Sequence, residues 1–396
     1  MANVQVGLDI LAKSKRLQAN LGGKIGYLCN SASIDGNITH GILILKKLFN
    51  KRFQKVFTPQ HGLFADVQDN MLESDHYEDP NLNIKIYSLY SETRSPKPEW
   101  LDGLGHLIID LQDVGTRVYT YIYTVALTIE ACAKQGIKVT ILDRPNPIGG
   151  KRVEGNILKS DFSSFVGLYE LPMRHGLTIG EFSNYLTKYQ GIDCDIEVVE
   201  LENWQRSMYF DETGVPWVQP SPNLPSLETA LVYPGMVLFE GTNVSEGRGT
   251  VKPFEFIGHP DIEPFGFLDE LDKAFDESDL RGFKLRPLVY QPTFHKFQDI
   301  VCGGFQIHLT DRDLFKPWHF SQVLMREMAH YLGDKFEWLQ PPYEYEYKLL
   351  PIDILNGTDK IRQWVENRGS FDTLLQIEAE GIEKFLDKRE DILIYS

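Results

Sequence analysis

The sequence predicts an α/β protein, a Rossmann-like, mostly parallel, doubly wound sheet followed by a second, smaller α+β domain. Three observations carry this expectation. From residue 24 to about 190, short and nearly continuous apolar runs alternate with helical patterns. Beyond about residue 192 the texture changes to proline-rich and glycine-rich stretches, a strand pair and late amphipathic helices. The length, 396 residues, is also two to three times that of a typical domain of about 100–200 residues. A boundary at 185–195 divides the chain into 1–190 and 191–396.

KIGYLCN (24–30), KVFTPQ (55–60), KIYSLY (85–90), HLIIDLQ (106–112) and KVTILDR (138–144) have the character of strands buried on both faces. Between them, HGILILKKLF (40–49) and YTVALTIEACAKQG (123–136) carry helical periodicity, the latter ending at Gly136 in a C-cap position. TIGEFSNYLTKYQG (178–191) predicts a closing helix whose Thr178 and Glu181 form a capping box. In the second unit, IEVVELENW (196–204) reads as a strand, and VPWVQPSPNLPSLE (215–228) is too rich in proline for regular structure. The segment 231–250 begins helically and ends in a glycine-rich loop. Strands over 285–294 and 303–311 follow, then helices near 318–333, 359–368 and 371–387.

Composition narrows the function classes. Forty Lys and Arg against fifty-six Asp and Glu give a net charge of −16, the wrong sign for a general binder of nucleic acid. Four scattered cysteines form neither a disulfide framework nor a zinc pattern, so no metal or cofactor is expected. The N-terminal segment lacks the apolar core of a secretory signal, and no run is long enough for a membrane span, so the expected compartment is the cytoplasm.

Ligands of an open parallel sheet bind outside the carboxyl ends of its strands. Those ends carry Cys29-Asn30-Ser31, Gln60 and His61, Ser91-Glu92-Thr93-Arg94, Gln112-Asp113 with Arg117, and Asp143-Arg144 with Asn146. Five polar ends on one rim predict a shared site, although strands also end in polar turns for structural reasons alone. In DRPNPIGG, two prolines fix Asp143 and Arg144 for either ligand binding or a structural salt bridge. Tyr119 and Tyr121 offer either a sugar-stacking wall or core packing. His175, just before a helix start, is either structural or a candidate acid, base or ligand. The second unit adds Ser221 and Asn223 in QPSPNLPS, and Glu240, Asn243, Glu246 and Arg248 in FEGTNVSEGRGT. The phosphate-binding glycine motifs, the G-x-S-x-G elbow and the H-E-x-x-H zinc motif are all missing from the sequence.

Seven ordered motifs, TPQHGLF, YSLYSETRSPKP, DLQDVGTRVYTYIYT, DRPNPIGG, SFVGLYELPMRHGLTIGE, QPSPNLPSLETALVYPG and FEGTNVSEGRGT, resemble the exo-β-N-acetylmuramidase family of peptidoglycan turnover. The resemblance spans nearly the whole chain. It implies a Rossmann-like domain, a smaller C-terminal domain, a cleft between them, and hydrolysis of N-acetylmuramic acid from the non-reducing end of peptidoglycan fragments. It also implies a glutamate in a P-E-H-G motif, where this chain carries Gln60. An amide cannot exchange a proton as a carboxyl does, and glycoside hydrolysis ordinarily uses two carboxyl groups. Either one of Glu73, Glu92, Asp113, Glu240 and Glu246 is expected to replace that acid, or Gln60 orients a water or a sugar N-acetyl group while His61 supplies the proton transfer. Arg117, Arg144 or Arg248 is expected to meet an anionic group such as the lactyl carboxylate. Asn146, Asn223 and Asn243 are expected to hydrogen-bond hydroxyl or acetamido groups. The competing expectation is a saccharide-binding or regulatory protein that kept the cleft and lost the acid.

Overall fold

The computed structural model describes residues 3–66, 72–80 and 82–396. Among these described residues the strands in chain order are β1 (Lys24–Cys29), β2 (Phe53–Thr58), β3 (Tyr77–Asp79), β4 (Ile84–Ser88), β5 (Leu104–Asp110), β6 (Lys138–Leu142), β7 (Ile196–Val199), β8 (Phe256–His259), β9 (Phe283–Tyr290) and β10 (Cys302–Leu309). The first seven form one sheet in the order β3-β4-β2-β1-β5-β6-β7. All its pairings are parallel except β3 with β4. The five apolar runs of the first unit are thus its inner strands, with residues such as Ile25, Val56, Ile108 and Ile141 fully buried. The chain leaves β1 toward β2 on one side and resumes at β5 on the other. This reversal opens a crevice at the carboxyl ends, where β2 delivers Gln60 and the loop after β5 delivers residues 116–121.

β8, β10 and β9 form a three-stranded antiparallel sheet in that order. The helix Pro317–Leu332, buried along most of its length, packs on the helix Leu227–Met236 at Gly235, where a Cβ would lie 2.0 Å from the Pro317 carbonyl oxygen. That helix therefore tolerates no side chain at its contact point.

The capping box at Thr178 forms as expected, Glu181 N donating to Thr178 Oγ1 at 3.2 Å and Thr178 N to Glu181 Oε2 at 3.0 Å. Other expectations are corrected. The strand expected over 196–204 stops at Val199 and joins the first sheet as β7, so that sheet continues past residue 190. The helix expected over 371–387 is two, Phe371–Ala379 and Ile382–Glu390, broken where Gly381 adopts φ +82°. β3, β8 and the helix Pro264–Glu277 carry no matching expectation. Among the described residues, no helix is long and apolar enough to cross a membrane.

A buried ionic clamp ties the segment after β6 to the helices Pro317–Leu332 and Phe371–Ala379. His319 Nδ1 lies 2.9 Å from Glu154 and its Nε2 lies 2.8 Å from Glu378. Burial alone would drive the imidazole toward neutrality, but the two carboxylates outweigh it and hold its pKa up to about 9. Because the folded value exceeds the unfolded one, this clamp stabilises fully below about pH 6.5 and is lost as pH rises through 9. Thermal melts from pH 7 to 10 should show Tm falling, and His319→Gln should flatten that slope. An unchanged slope in the variant would remove the clamp from the account.

Candidate active site

The crevice above the sheet is a cavity lined from both units of the chain. Gln60 and His61 enter it from the end of β2, Tyr119 and Thr120 from the loop after β5, and Tyr121 from the start of the helix Tyr121–Lys134. The proline-rich stretch contributes Ser221 and Asn223, and is fixed in place because the Pro220 carbonyl accepts from Tyr121 Oη at 2.7 Å and Asn30 Nδ2 at 2.8 Å. Glu240, Arg248 and Phe254 line the opposite wall, and Tyr343 and Glu344 close it. The inner cavity measures about 40 Å³, room for a few waters. A second, wider groove of about 470 Å³ lies outside it, lined by Ser91, Arg94, Phe165 and Tyr345 among others. Glu344 borders both spaces.

Glu344 is the carboxyl that faces Gln60. Tyr90 Oη donates to its Oε2 at 2.8 Å, and the Gln60 amide hydrogen-bonds the same carboxyl. The Gln60 Oε1 accepts from Thr120 Oγ1 at 2.9 Å, which leaves the amide nitrogen to serve Glu344. Burial raises the Glu344 pKa. The nearby charge of Glu240 adds to that rise, and the Tyr90 and Gln60 hydrogen bonds offset it only in part. A carboxyl so placed keeps its proton to a higher pH than an ordinary glutamate.

Glu240 is the second carboxyl of the cavity and has a different environment. Arg248 Nη2 lies 2.5 Å from its Oε1, and Tyr343 Oη donates to its Oε2 at 2.7 Å. Arg248 also reaches Glu246 at 3.3 Å and packs on Phe254. Burial opposes charge on Arg248, but the two carboxylates outweigh it and raise its pKa. Backbone strain gathers at the same place: His61, Glu344 and Tyr345 all have positive φ, at +72°, +44° and +68°. Such residues cost about 1–3 kcal/mol each and persist where surrounding contacts over-determine them, commonly at functional sites.

Comparison with known proteins assigns the family and the fold. Residues 25–228 match the family model "Exo-beta-N-acetylmuramidase NamZ, N-terminal", and residues 231–395 match its C-terminal counterpart. The chain belongs to the NamZ exo-β-N-acetylmuramidase family. It is 38% identical over 392 residues to the peptidoglycan beta-N-acetylmuramidase NamZ of Bacillus subtilis (strain 168), covering 99% of this chain and 91% of that protein. Two crystal structures of DUF1343 family proteins from Bacteroides fragilis NCTC 9343 share the fold, each at 26% identity. One superposes with a TM-score of 0.88 over 100% of both chains, the other with 0.76 over 100% of this chain and 99% of that one.

Within this NamZ fold, the structure gathers only some of the residues expected from sequence. Gln60, His61, Tyr119 and Tyr121 meet Ser221, Asn223, Glu240 and Arg248 at the inner cavity. Glu73 and Glu92 line the outer groove. The others are engaged elsewhere. Arg117 is wholly buried and donates to the carbonyl oxygens of Asn156, Leu171 and Leu355, tying the two units together. Arg144 pairs with Asp110 at 2.5 Å, so the structural salt bridge forms, but not with its neighbour Asp143. Asp143 accepts from Thr178, Gly180 and Tyr395 and anchors the helix Ile179–Tyr189; burial, against those three hydrogen bonds, pushes its pKa up to about 6.

Asp113 accepts from Gly115 N at 2.7 Å and faces His175 at 3.5 Å, both behind the cavity wall. Asn146 holds the Leu177 carbonyl and the Ile148 amide, and Asn243 bridges Lys335 and Glu337 at the surface. Glu246 stands one layer behind Arg248, where Lys296 at 2.8 Å and His295 at 3.5 Å join Arg248 in lowering its pKa against burial. Sequence reasoning missed Glu344 and Tyr343. Their signal was PPYEYEY (341–347), carboxyls alternating with tyrosines after a double proline, far along the chain from Gln60. Among the described residues, no group of three or more His, Cys, Asp or Glu is placed to hold a metal ion.

Proposed function

We propose that this chain is an exo-acting β-N-acetylmuramidase, a glycosidase that releases terminal N-acetylmuramic acid from peptidoglycan fragments, with Glu344 as its general acid. The observation that carries this reading is the placement of a buried, proton-retaining carboxyl against Gln60, at the strand end where the family's motif has a glutamate. Glu344 gives its proton to the leaving oxygen as the glycosidic C–O bond breaks; water adds its hydroxyl to the anomeric carbon and its remaining proton returns to Glu344. Glu240 is the second carboxyl, its negative charge opposing the positive charge that develops on the sugar ring. Gln60 orients Glu344 through its amide, and Ser221 and Asn223, in the inner cavity beside Glu344, offer donors and acceptors to a hydroxyl or acetamido arm reaching in from a sugar seated in the outer groove.

The partner is a small saccharide rather than nucleic acid, which a net charge of −16 disfavours. All four cysteines are free thiols, which suits a reducing, cytoplasmic setting. The test is direct. Incubation with N-acetylmuramyl-N-acetylglucosamine should release free N-acetylmuramic acid and a new reducing end at the same rate. Release indistinguishable from buffer, for this disaccharide and for chromogenic muramides alike, overturns the reading.

A further inference from the structure

We infer that Arg94, at the mouth of the outer groove, is the receptor for the substrate's lactyl carboxylate and so decides muramide over glucosaminide. The inference rests on the muramidase reading for its substrate. Each arginine that the sequence offered for this role is already engaged. Arg117 holds three carbonyl oxygens, Arg144 holds Asp110, and Arg248 holds Glu240 and Glu246. Among the described residues, the two cavities that share Glu344 are lined by two guanidinium groups, Arg248 and Arg94.

Arg94 is built to present one edge. Its Nη1 donates to the Ser91 carbonyl at 2.6 Å, which fixes the plane of the group. The guanidinium carbon lies 4.0 Å from the Tyr90 ring centre and 4.2 Å from that of Tyr345, so its faces are covered by aromatic rings. What remains is the edge formed by Nε and Nη2, the fork that matches a carboxylate with two parallel hydrogen bonds. Nε is buried without a hydrogen-bond partner, and the carboxylate nearest Nη2 is Glu73 at 3.8 Å, beyond hydrogen-bond length. Glu73 is itself half exposed and accepts from Tyr345 Oη at 3.2 Å, so it covers the fork loosely and can be displaced.

The groove's other carboxylates are tied down. Glu92 is bound by Ser91 at 2.6 Å and Lys97 at 2.9 Å, and Glu346 accepts from the backbone amides of residues 347–349. The groove's volume, about 470 Å³, lies within the range of about 300–1,000 Å³ usual for small-molecule sites, whereas the inner cavity is far below it. Tyr90 links the two functions, its ring against Arg94 and its hydroxyl on Glu344. A terminal sugar seated in the groove with its carboxylate on Arg94 therefore has the acid within the same wall.

The experiment compares 4-methylumbelliferyl β-N-acetylmuramide with the corresponding N-acetylglucosaminide, which lacks the lactyl group, and adds calorimetric binding of the two free sugars. Loss of a charge-assisted bidentate contact predicts that Arg94→Met lowers kcat/KM on the muramide by about 30- to 100-fold. The slower glucosaminide reaction, which feels Arg94 only through Tyr90 and Glu344, should fall far less, so that the preference collapses. Glu73→Gln, which removes the internal competitor, should tighten N-acetylmuramic acid binding by up to about fivefold. An equal fall on both glycosides, or an unchanged preference, overturns the assignment. Should the unmodified chain hydrolyse neither glycoside, the muramidase reading falls, and calorimetry still judges Arg94. Binding of N-acetylmuramic acid that Arg94→Met abolishes would support it, and equal affinity for both sugars would overturn it.

Discussion

Glu344→Gln is expected to lower kcat on a muramyl disaccharide by about 10²- to 10⁴-fold, the usual contribution of a positioned general acid. The substitution preserves shape and leaves an acceptor for Tyr90 Oη, so the fold and the affinity for free N-acetylmuramic acid should persist. The loss should fall on kcat, because the proton moves only in the transition state. The pH dependence of the unmodified chain follows from the same group. Burial and Glu240 raise its pKa, so activity should hold above the ordinary glutamate range and fall as pH rises through the raised value. Gln60→Glu would set a second carboxyl against Glu344. Two such groups in contact cannot both ionise readily, so the alkaline limb of the pH profile should move upward. A profile that moves down, or a Glu344→Gln variant with full activity, would remove Glu344 from the chemistry.

The second large effect concerns stability. Arg248→Met should destabilise the protein by about 3–5 kcal/mol, because it leaves two buried carboxylates without their shared partner. Glu240 would lose its 2.5 Å ion pair, and Glu246 would keep only Lys296 and His295. Lys296, by contrast, is partly accessible to water, so Lys296→Met should cost less. Urea titration of both variants checks the order. Equal and small losses would mean that the cavity wall relaxes around the missing guanidinium.

The elements that were legible in the sequence are those with a physical signature of their own. The five inner strands announce themselves because a parallel strand covered on both faces is apolar at nearly every position. The capping box at Thr178 is a three-residue spacing and needs no distant contact. β8 was hidden because Phe256–His259 is four residues long and ends in glycine and histidine. The two helices on either side of Gly381 read as one because their amphipathic periodicity nearly continues across the break.

The site was legible only where one rim supplies it. Gln60, His61, Tyr119 and Tyr121 lie at strand ends, so the rule for open sheets finds them. That rule cannot separate ligand-facing polar groups from those that hold loops together. Arg117, Asp143 and Arg144 share the rim's chemistry, yet spend it on carbonyls, a helix start and Asp110. Glu344 arrives from the far end of the chain on a strap of unusual backbone, and only folding brings it to Gln60.

The most direct measurement of the central claim uses the leaving group itself. A general acid matters in proportion to the leaving group's need for a proton, so Glu344→Gln should be assayed on a series of muramides. A 2,4-dinitrophenyl muramide, whose phenolate departs without protonation, should be cleaved by Glu344→Gln within about tenfold of the unmodified chain, while the disaccharide loses about a thousandfold. An equal loss on both substrates would contradict it, placing Glu344 in binding or folding rather than in proton transfer.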